Sequence, residues 1–470
     1  MTQRLPLSLT LILFTALLFS ACTPGTSAPT LTPGLPTLSP STSGSALTFT
    51  PTQIPPIAID PTTLRGVNIR IWHAFTEGAY RVLSDEVASF NASNEWGIVV
   101  TESGYGDYPT LFDAVNSSAV DLSLSGGAPD LVAALPEQTL AWDASGSVVD
   151  LTPYLSDPAW GLGVDGSDGL SDFPAVFTAQ DNVNGKQLGL PAERSARFLF
   201  YNTSWAQELG FANPPTTAAE FRRQACAANA SFRTDTNLQN DGYGGWIVDP
   251  HWQTMYSWLL AFDGSVADGN VYTFSTDPNL AALQFVKGLF DDHCAWLSTE
   301  PTPFDSFARR SALFVSGDLA ELPMAVESMS RLKNADDWTL IPFPGVSGRV
   351  LVTYGPSYSV LKSTPEKQLA AWLFARWLVS PENQAGWVSA TGLLPLRSSL
   401  PDQAGMAPQW QAAVADLSVA QGVPQLASWR KVRYVLEDGT RMIFQTNLPL
   451  AQLPSILIEM DATAQELNSK

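Results

Sequence analysis

From Leu64 onward, short runs of β-branched and aromatic residues alternate with segments of helical periodicity. GVNIRIWHAF predicts a first strand over Val67 to Trp72, and EGAYRVLSDEVASFN then repeats apolar residues close to every 3.6 positions, as an amphipathic helix does. WGIVVTESG predicts a second strand, YPTLFDAVNSSA a second helix and APDLVAAL a third strand. Strands that alternate with helices build sheets covered by helices, so this pattern predicts an α/β fold.

The remainder of the chain continues the alternation. GLPAERSARFLFYN is strand-like, and TTAAEFRRQACAAN predicts a helix capped by Thr216 or Thr217. DLAELPMAVES predicts a strand near Leu322–Val326, and later helices are predicted to open at Thr364 and at Ser380. Residues 64–466 contain no repeat and no low-complexity tract, which indicates one continuous architecture.

The amino terminus carries an export signal. Arg4 precedes LPLSLTLILFTALLFSAC, an apolar run that is short for a membrane span and is followed at once by polar, proline-rich sequence. Small residues lead into Cys22, which is similar to the lipobox of bacterial lipoproteins. That resemblance implies a signal peptide over residues 1–21, cleavage before Cys22 and lipidation of its thiol. The alternative is an ordinary signal peptide followed by an unrelated cysteine.

Residues 22–63 predict a disordered tether. The segment is nearly all Thr, Pro, Ser, Gly, Ala and Leu, and after Arg4 the first charged residue is Asp60. Such a sequence buries too little apolar surface to offset the entropy of ordering it. Where extended, the tether reaches on the order of 100 Å.

Charge and cysteine content restrict the partners and the compartment. The formal net charge is −20, so nucleic acid and anionic membrane surfaces are repelled, and the predicted membrane contact is through the lipid anchor only. Besides Cys22, the chain has Cys226 and Cys294. In an exported chain these two form a disulfide if their Cα atoms come close, and otherwise remain buried thiols; the spacing does not decide between them.

Several strings, taken in order, resemble the extracellular solute-binding proteins of ABC importers, specifically the family that binds carbohydrates and sugar phosphates. They cover nearly all of residues 67–400 and are IRIWHAF, APDLV, VVDLTPYL, GLPAERSARFLFYNTSWAQELGFANPPTTAAEFRR, ALFVSGDLAELPMAVES, WTLIPFPG and GPSYSVLKSTPEKQLAAWLFARWLVSPENQAGWVSATGLLPLRSS.

The resemblance implies a two-lobe clamshell of the type II periplasmic-binding-protein class, with lobes discontinuous in sequence and joined by hinge crossings. It places one lobe at 65–192 and 344–393, and the other at 193–343 and 394–466. The implied function is capture of a sugar or related polyol between the lobes and its delivery to ABC permease subunits at the outer face of the cytoplasmic membrane. The expected protein is a monomer, is not an enzyme, and has no cofactor and no metal.

Candidate ligand contacts are aromatic or polar residues at strand ends, at loop edges and at the implied crossings. Aromatic faces suit the C–H faces of a sugar ring, and fixed donors and acceptors suit its hydroxyls. Trp258, well inside a predicted helix, is expected in the core. Trp72 has packing under the sheet as its alternative, Asp130 has helix capping, and Arg194 has pairing with surface acids. The candidates are Trp72, His73, Tyr108, Asp130, Glu193, Arg194, Ser195, Trp246, His251, Trp252, Glu327 and Tyr354.

Two other classes remain open from the residues alone. A secreted carbohydrate-active hydrolase is disfavoured because the sequence lacks G-x-S-x-G, H-E-x-x-H and Walker A motifs. Paired carboxylates for glycoside cleavage are set by distance in space, so the sequence leaves that chemistry open. A surface sugar sensor or adhesin, which would use the same clamshell without transport, is the third possibility.

Overall fold

The computed structural model describes residues 56–120, 127–166, 169–300, 302–400 and 405–469. The predicted signal peptide, the lipidation site at Cys22 and the tether up to residue 55 lie outside the described residues. The predicted tether runs too far, because residues 56–63 belong to the folded part. The backbone N–H of Ile57 donates to the Asp157 carboxylate at 2.7 Å, and Asp60 caps a 3-10 turn over Pro61–Leu64.

The strands are numbered in chain order. They are β1 (Asn68–His73), β2 (Val99–Gly104), β3 (Leu131–Ala134), β4 (Asn182–Val183), β5 (Lys186–Gln187), β6 (Leu190–Pro191), β7 (Ser195–Asn202), β8 (Trp246–Val248), β9 (Ala267–Asp268), β10 (Val271–Tyr272), β11 (Ala295–Leu297), β12 (Phe314–Asp318), β13 (Trp338–Ile341), β14 (Phe343–Pro344), β15 (Arg349–Tyr354), β16 (Ser357–Val360) and β17 (Ala420–Gln421).

The helices are numbered in the same way. They are α1 (Glu77–Ser93), α2 (Tyr108–Val120), α3 (Pro136–Ala144), α4 (Thr152–Leu155), α5 (Ala175–Ala179), α6 (Thr203–Glu208), α7 (Ala218–Arg233), α8 (Trp252–Ala261), α9 (Asp277–Asp291), α10 (Pro303–Ala308), α11 (Leu322–Arg331), α12 (Pro365–Leu378), α13 (Pro381–Thr391), α14 (Pro408–Ala415), α15 (Trp429–Ile443) and α16 (Leu453–Asn468).

Two sheets organise the described residues. A five-stranded sheet has the order β2-β1-β3-β16-β6, and an eight-stranded sheet has the order β11-β8-β12-β7-β15-β14, with β13 also pairing β7 and β17 pairing β15. We call the part built on the five-stranded sheet the first lobe and the part built on the eight-stranded sheet the second lobe. The predicted α/β class and two-lobe arrangement are confirmed.

Local signals located several helix starts. The Thr217 hydroxyl accepts the Glu220 backbone N–H and completes a capping box at α7, and Thr364 and Ser380 cap α12 and α13 as predicted. The strand predicted at Leu322–Val326 is wrong, because that segment begins α11. Its apolar positions recur at helical spacing and bury one face, and a proline near the helix start is compatible with the first turn.

Within the described residues, the chain passes between the lobes three times. The third crossing follows α13, where the Leu394 backbone N–H donates to the Arg194 carbonyl at 2.9 Å, and it leads to α14 beside β13 of the second lobe. The first two crossings are adjacent. One runs from β6 to β7 through residues 192–194, and the other returns from β15 to β16 through Gly355 and Pro356. The predicted boundary between 343 and 344 is therefore too early, since β15 pairs with β7 in the second lobe. Gly355 has φ 152°, and a Cβ there would lie 2.3 Å from the Glu193 carbonyl oxygen, so the two crossings pass in contact only because this residue is glycine.

The second lobe contains a disulfide between Cys226 of α7 and Cys294, which precedes β11. It closes a loop of 68 residues in sequence separation. Within the part of the chain that the structure describes, no helix is long and apolar enough to cross a membrane. The same residues contain no group of three or more His, Cys, Asp and Glu side chains arranged to hold a metal ion.

Candidate ligand-binding cleft

A cleft separates the two lobes at the carboxyl ends of β1, β2 and β3. At its outer end lies a cavity of about 400 Å³ with walls from both lobes. The first lobe contributes the start of α2 and part of α3, and the second contributes α15 and the end of α16. In open α/β sheets ligands bind at the carboxyl ends of parallel strands, so this is the expected position for a ligand. The lining residues are Pro109, Phe112, Asp113, Gln138, Arg430, Lys431, Arg433, Tyr434 and Leu467.

Trp252 forms an aromatic wall on the second lobe. It is the first residue of α8 and its side chain is 5% exposed. Its ring centroid lies 5.9 Å from that of Tyr354 and 5.5 Å from that of Trp429, with the Trp429 ring edge-on. The Arg433 guanidinium lies 5.9 Å from the Trp252 ring centroid. Three elements distant in sequence, α8, β15 and α15, therefore meet at one indole.

Polar atoms around Trp252 lack partners. His251 caps α8 immediately before Trp252, and its Nε2 lies 3.7 Å from the Glu437 carboxylate. Within the described residues, His251 Nδ1, Glu437 Oε2, Trp429 Nε1 and Arg433 Nε are buried and have no hydrogen-bond partner. Buried polar atoms in native proteins are nearly always paired, so this concentration indicates a place where a polar molecule binds.

Next to this wall, the Asp318 carboxylate receives two hydroxyl groups. Ser195 donates to Oδ1 and Tyr354 donates to Oδ2. Burial, together with the Asp318 charge, raises the pKa of the Tyr354 hydroxyl well above its usual value, so it remains a donor at neutral pH. The antiparallel pairing of β7 with β12 and β15 sets this geometry, because it brings the end of β12 to the start of β7 and the end of β15.

Arg197 stands behind Asp318 and is buried. It forms ion pairs with Asp249 and, at 3.8 Å, with Glu321, and its Nε donates to Thr254 at 3.0 Å. The backbone N–H of Asp318 donates to Glu321 at 2.7 Å. The guanidinium therefore holds Asp249, which follows β8, and Glu321, which precedes α11, in fixed positions.

Glu193 and Tyr108 face the cleft from the first crossing and the first lobe. Burial raises the pKa of Glu193 to about 7, and the nearby Trp387 indole and Arg194 guanidinium oppose this only in part. Burial likewise raises the pKa of Tyr108 well above its usual value, with the Glu193 charge adding to the effect. The Tyr108 carbonyl accepts Gln138 Nε2 at 2.6 Å, which joins α2 to α3.

His73 lies at the carboxyl end of β1 and is fully buried. Its Nδ1 accepts the Phe75 backbone N–H at 3.2 Å, and burial lowers its pKa to about 4. The ring is therefore neutral at physiological pH. It lies at the edge of the sheet where the strands end and the cleft begins.

Of the predicted contacts, the structure brings several to the cleft walls. Tyr108, Glu193, Ser195, His251, Trp252 and Tyr354 lie there, and His73 lies behind its edge.

Arg194 does not face a ligand as predicted. Its fully buried guanidinium donates to the carbonyls of Glu193, Gly355, Pro356 and Phe177, to the Ser357 hydroxyl and, at 3.1 Å, to the Asp181 carboxylate. These acceptors lie on the first two crossings, in and just after α5, and at the start of β16. Arg194 is therefore a structural centre of the hinge.

Trp72 and Trp246 belong to the cores. Trp72 packs with the residues beneath the first sheet and is 2% exposed. Trp246 is fully buried in β8, where its indole N–H donates to Ser316 at 2.8 Å and its ring meets Trp258 at 5.6 Å. The prediction that Trp246 lies on a loop edge is wrong because the short strand β8 carries it into the second sheet.

Asp130 lies away from the cleft, and Glu327 lies at a second cavity between the lobes. Asp130 precedes β3, at the opposite end from the cleft, where it accepts the Arg70 backbone N–H at 3.0 Å and pairs with Lys367 at 3.2 Å. Glu327 is exposed on α11 and lines a separate cavity of about 600 Å³, whose walls are α11 of the second lobe and the end of α13 of the first.

Sequence reasoning missed Asp318, Glu321, Glu437, Trp429 and Arg433. The string DLAELPMAVES, which begins at Asp318, indicates only secondary structure, and WRKVRY carries no local signal of a binding site. Contacts between elements that are distant in sequence bring these residues together at the cleft.

Comparison with known proteins identifies the class. Residues 86–417 match the model of a family described as bacterial extracellular solute-binding protein. The chain belongs to that family, which places it outside the cytoplasm. A Brucella abortus protein described as a binding protein is 23% identical over an alignment of 293 residues. The match covers 58% of this chain and 66% of that protein, just under two thirds of its length.

Solved structures share the fold. The sugar-binding protein MalE of Xanthomonas citri is 20% identical with a TM-score of 0.71, covering 86% of this chain and 98% of that one. UgpB of Mycobacterium tuberculosis, solved with glycerophosphocholine, is 17% identical with a TM-score of 0.66, covering 85% and 98%. The cyclic alpha-maltosyl-1,6-maltose binding protein of Arthrobacter globiformis is 19% identical with a TM-score of 0.65, covering 86% and 98%.

Proposed function

We propose that this protein is the carbohydrate-binding receptor of an ABC importer, which captures a sugar or related polyol in the interlobe cleft and delivers it to membrane permease subunits. The observation that carries the proposal is the set of unpaired buried polar atoms around Trp252, on His251, Trp429, Arg433 and Glu437. A sugar hydroxyl both donates and accepts, so a polyhydroxylated ligand pairs with this mixed set, while its C–H face packs on the aromatic wall.

The fold supports the transport role. The first two crossings pass in contact, and the lobes close about such a hinge when one ligand contacts both lobes. Structures of similar fold bind sugars or a glycerophosphodiester according to their descriptions. A lipid on Cys22 would hold the receptor at the outer face of the membrane.

The binding claim is tested by calorimetry and thermal shift with glucose, maltose, maltotriose, trehalose and a series of polyols. We expect saturable binding and a raised melting temperature with at least one of them. Trp252→Ala should weaken that binding by at least about tenfold, a typical loss for a central aromatic contact. Tyr243→Ala is the matched control, since Tyr243 is 42% exposed and contacts Trp296 elsewhere in the second lobe. The proposal fails if every sugar and polyol is inert while another solute class stabilises the protein.

The remaining claims have separate tests. Chromatography after incubation should return the sugar intact, whereas shorter products would favour the hydrolase. Deletion of the gene should abolish uptake of the bound sugar, whereas unchanged uptake would favour a sensor or adhesin. Cys22→Ala should move the protein from the membrane fraction to the soluble fraction.

A further inference from the structure

The charged side chains beside the cleft restrict the charge of the ligand that can bind there. Asp318 presents both carboxylate oxygens to hydroxyl donors, from Ser195 and Tyr354. No contact in the described residues pairs Asp318 directly with a cation. A carboxylate in this setting accepts hydroxyl hydrogens and repels other anions.

The cationic side chain beside Asp318, Arg197, is paired with other carboxylates. Arg197 pairs with both Asp249 and Glu321. Three carboxylates therefore surround one guanidinium, and this corner of the cleft has a negative surplus. A phosphate entering here would meet like charge in a poorly hydrated place, where repulsion is stronger than in water.

The other arginines beside the cleft are occupied as well. Arg194 pairs with Asp181 at 3.1 Å inside the hinge, and Arg433 pairs with Glu137 at 2.9 Å. Arg430 lies at the outer end, with its guanidinium 4.4 Å from the Phe112 ring centroid. Arg194, Arg197 and Arg433 are thus paired with carboxylates. Arg430 and Lys431 line the outer cavity, and neither contacts Asp318 in the described residues.

We infer that the cleft takes an uncharged polyhydroxylated ligand and rejects its phosphorylated counterpart, and that Asp318 is the residue that sets this preference. The inference rests on the proposed function and narrows it, because the fold is shared with a protein solved with glycerophosphocholine. The ligand hydroxyls would approach Asp318 as Ser195 and Tyr354 do, as donors.

The test compares one saccharide with its own phosphate ester. The tightest-binding member of glucose, maltose, maltotriose and trehalose is measured by calorimetry beside its 6-phosphate, in the wild type and in Asp318→Asn. Asparagine keeps the size of the side chain and one acceptor oxygen, and the backbone N–H of residue 318 can still donate to Glu321 at the start of the following turn. We expect the wild type to bind the phosphate ester at least about tenfold more weakly than the neutral saccharide. In Asp318→Asn the ratio of these two affinities should be severalfold smaller.

Asp305→Asn is the matched control. It removes the same charge from a partly buried aspartate that pairs with Ser328 and Arg331 outside the cleft, and it should leave the ratio unchanged. Equal or tighter binding of the phosphate to the wild type would overturn the inference. A ratio unaffected by Asp318→Asn, or altered as much by Asp305→Asn, would overturn the role of Asp318. If no neutral saccharide binds, the proposed function itself fails, and the inference falls with it.

Discussion

Arg433 of the second lobe donates to Glu137 of the first lobe at 2.9 Å, and both side chains are largely buried. This ion pair joins the two walls of the cleft beside Trp252. Burial raises the pKa of Glu137 and the Arg433 charge opposes that rise. Because the pair exists only when the lobes are together, it contributes to the closed state and not to the fold of either lobe alone.

Glu137→Gln should therefore speed ligand release. Loss of the carboxylate leaves the Arg433 charge without its partner, and affinity should fall about tenfold, mainly through the dissociation rate. Stopped-flow fluorescence of the cleft tryptophans measures both rates. Asp130→Asn is the control, since the Asp130–Lys367 pair lies within the first lobe. An unchanged dissociation rate in Glu137→Gln would show that the pair does not maintain closure.

Trp246→Ala should destabilise the protein without changing the affinity of the folded fraction. The side chain is fully buried and its indole N–H bonds Ser316, so its loss should cost about 3–5 kcal/mol of unfolding free energy. Chemical denaturation gives the free energy, and calorimetry below the transition gives the affinity. A large loss of ligand affinity with normal stability would contradict this assignment and show that Trp246 contacts the ligand.

Glu193 predicts a pH dependence of stability. Its pKa in the folded protein is about 7, raised by burial from an ordinary value of 4.5. The unfolded chain loses this proton first, so the group destabilises the fold increasingly as pH rises from 4.5 to 7, and by a constant amount above that. Glu193→Gln should therefore gain roughly 3 kcal/mol relative to wild type between pH 4 and pH 8.

The measurement for Glu193 is the difference in unfolding free energy between the two proteins across that pH range. The difference cancels the other titrating groups, which both proteins share. A difference that is flat with pH would mean that Glu193 ionises at its ordinary value. The free energy at pH 4 shows any effect of the amide itself.

The Cys226–Cys294 disulfide should stabilise the second lobe without affecting the ligand. Cross-linking residues 68 apart in sequence lowers the entropy of the unfolded chain by an amount worth about 4 kcal/mol. The double variant Cys226→Ala, Cys294→Ala should lose stability of that order and retain its affinity. Thermal unfolding with and without reductant provides the check, because reductant should affect the wild type and leave the double variant unchanged.

The elements that sequence patterns predict well are those specified locally. The strands and helices between Asn68 and Ala134 follow alternation and periodicity, and the caps at Thr217, Thr364 and Ser380 are chemical signals within one turn. The start of α11 is easily mistaken for a strand because a short apolar run has no distinctive period.

The cleft is less predictable for a different reason. Trp252 and Tyr354 are recognisable as aromatic candidates, but Asp318 acquires its role only when β12 pairs with β7 and brings Ser195 to it. The same holds for Trp246, whose burial depends on β11 and β12 lying on either side of β8. Long-range strand pairing determines the surroundings of Asp318 and Trp246, and local sequence patterns do not predict that pairing.

The contact between Ile57 and Asp157 has a mechanical consequence. Asp157 accepts the Ile57 backbone N–H and also the N–H groups of Ala159 and Trp160, whose carbonyl accepts the Trp372 indole of α12. Force applied to the chain before Pro56 is therefore transmitted to the first lobe alone and bypasses the crossings. Tension in a tether attached there would neither open nor close the hinge, and the second lobe would be the one that moves relative to the point of attachment.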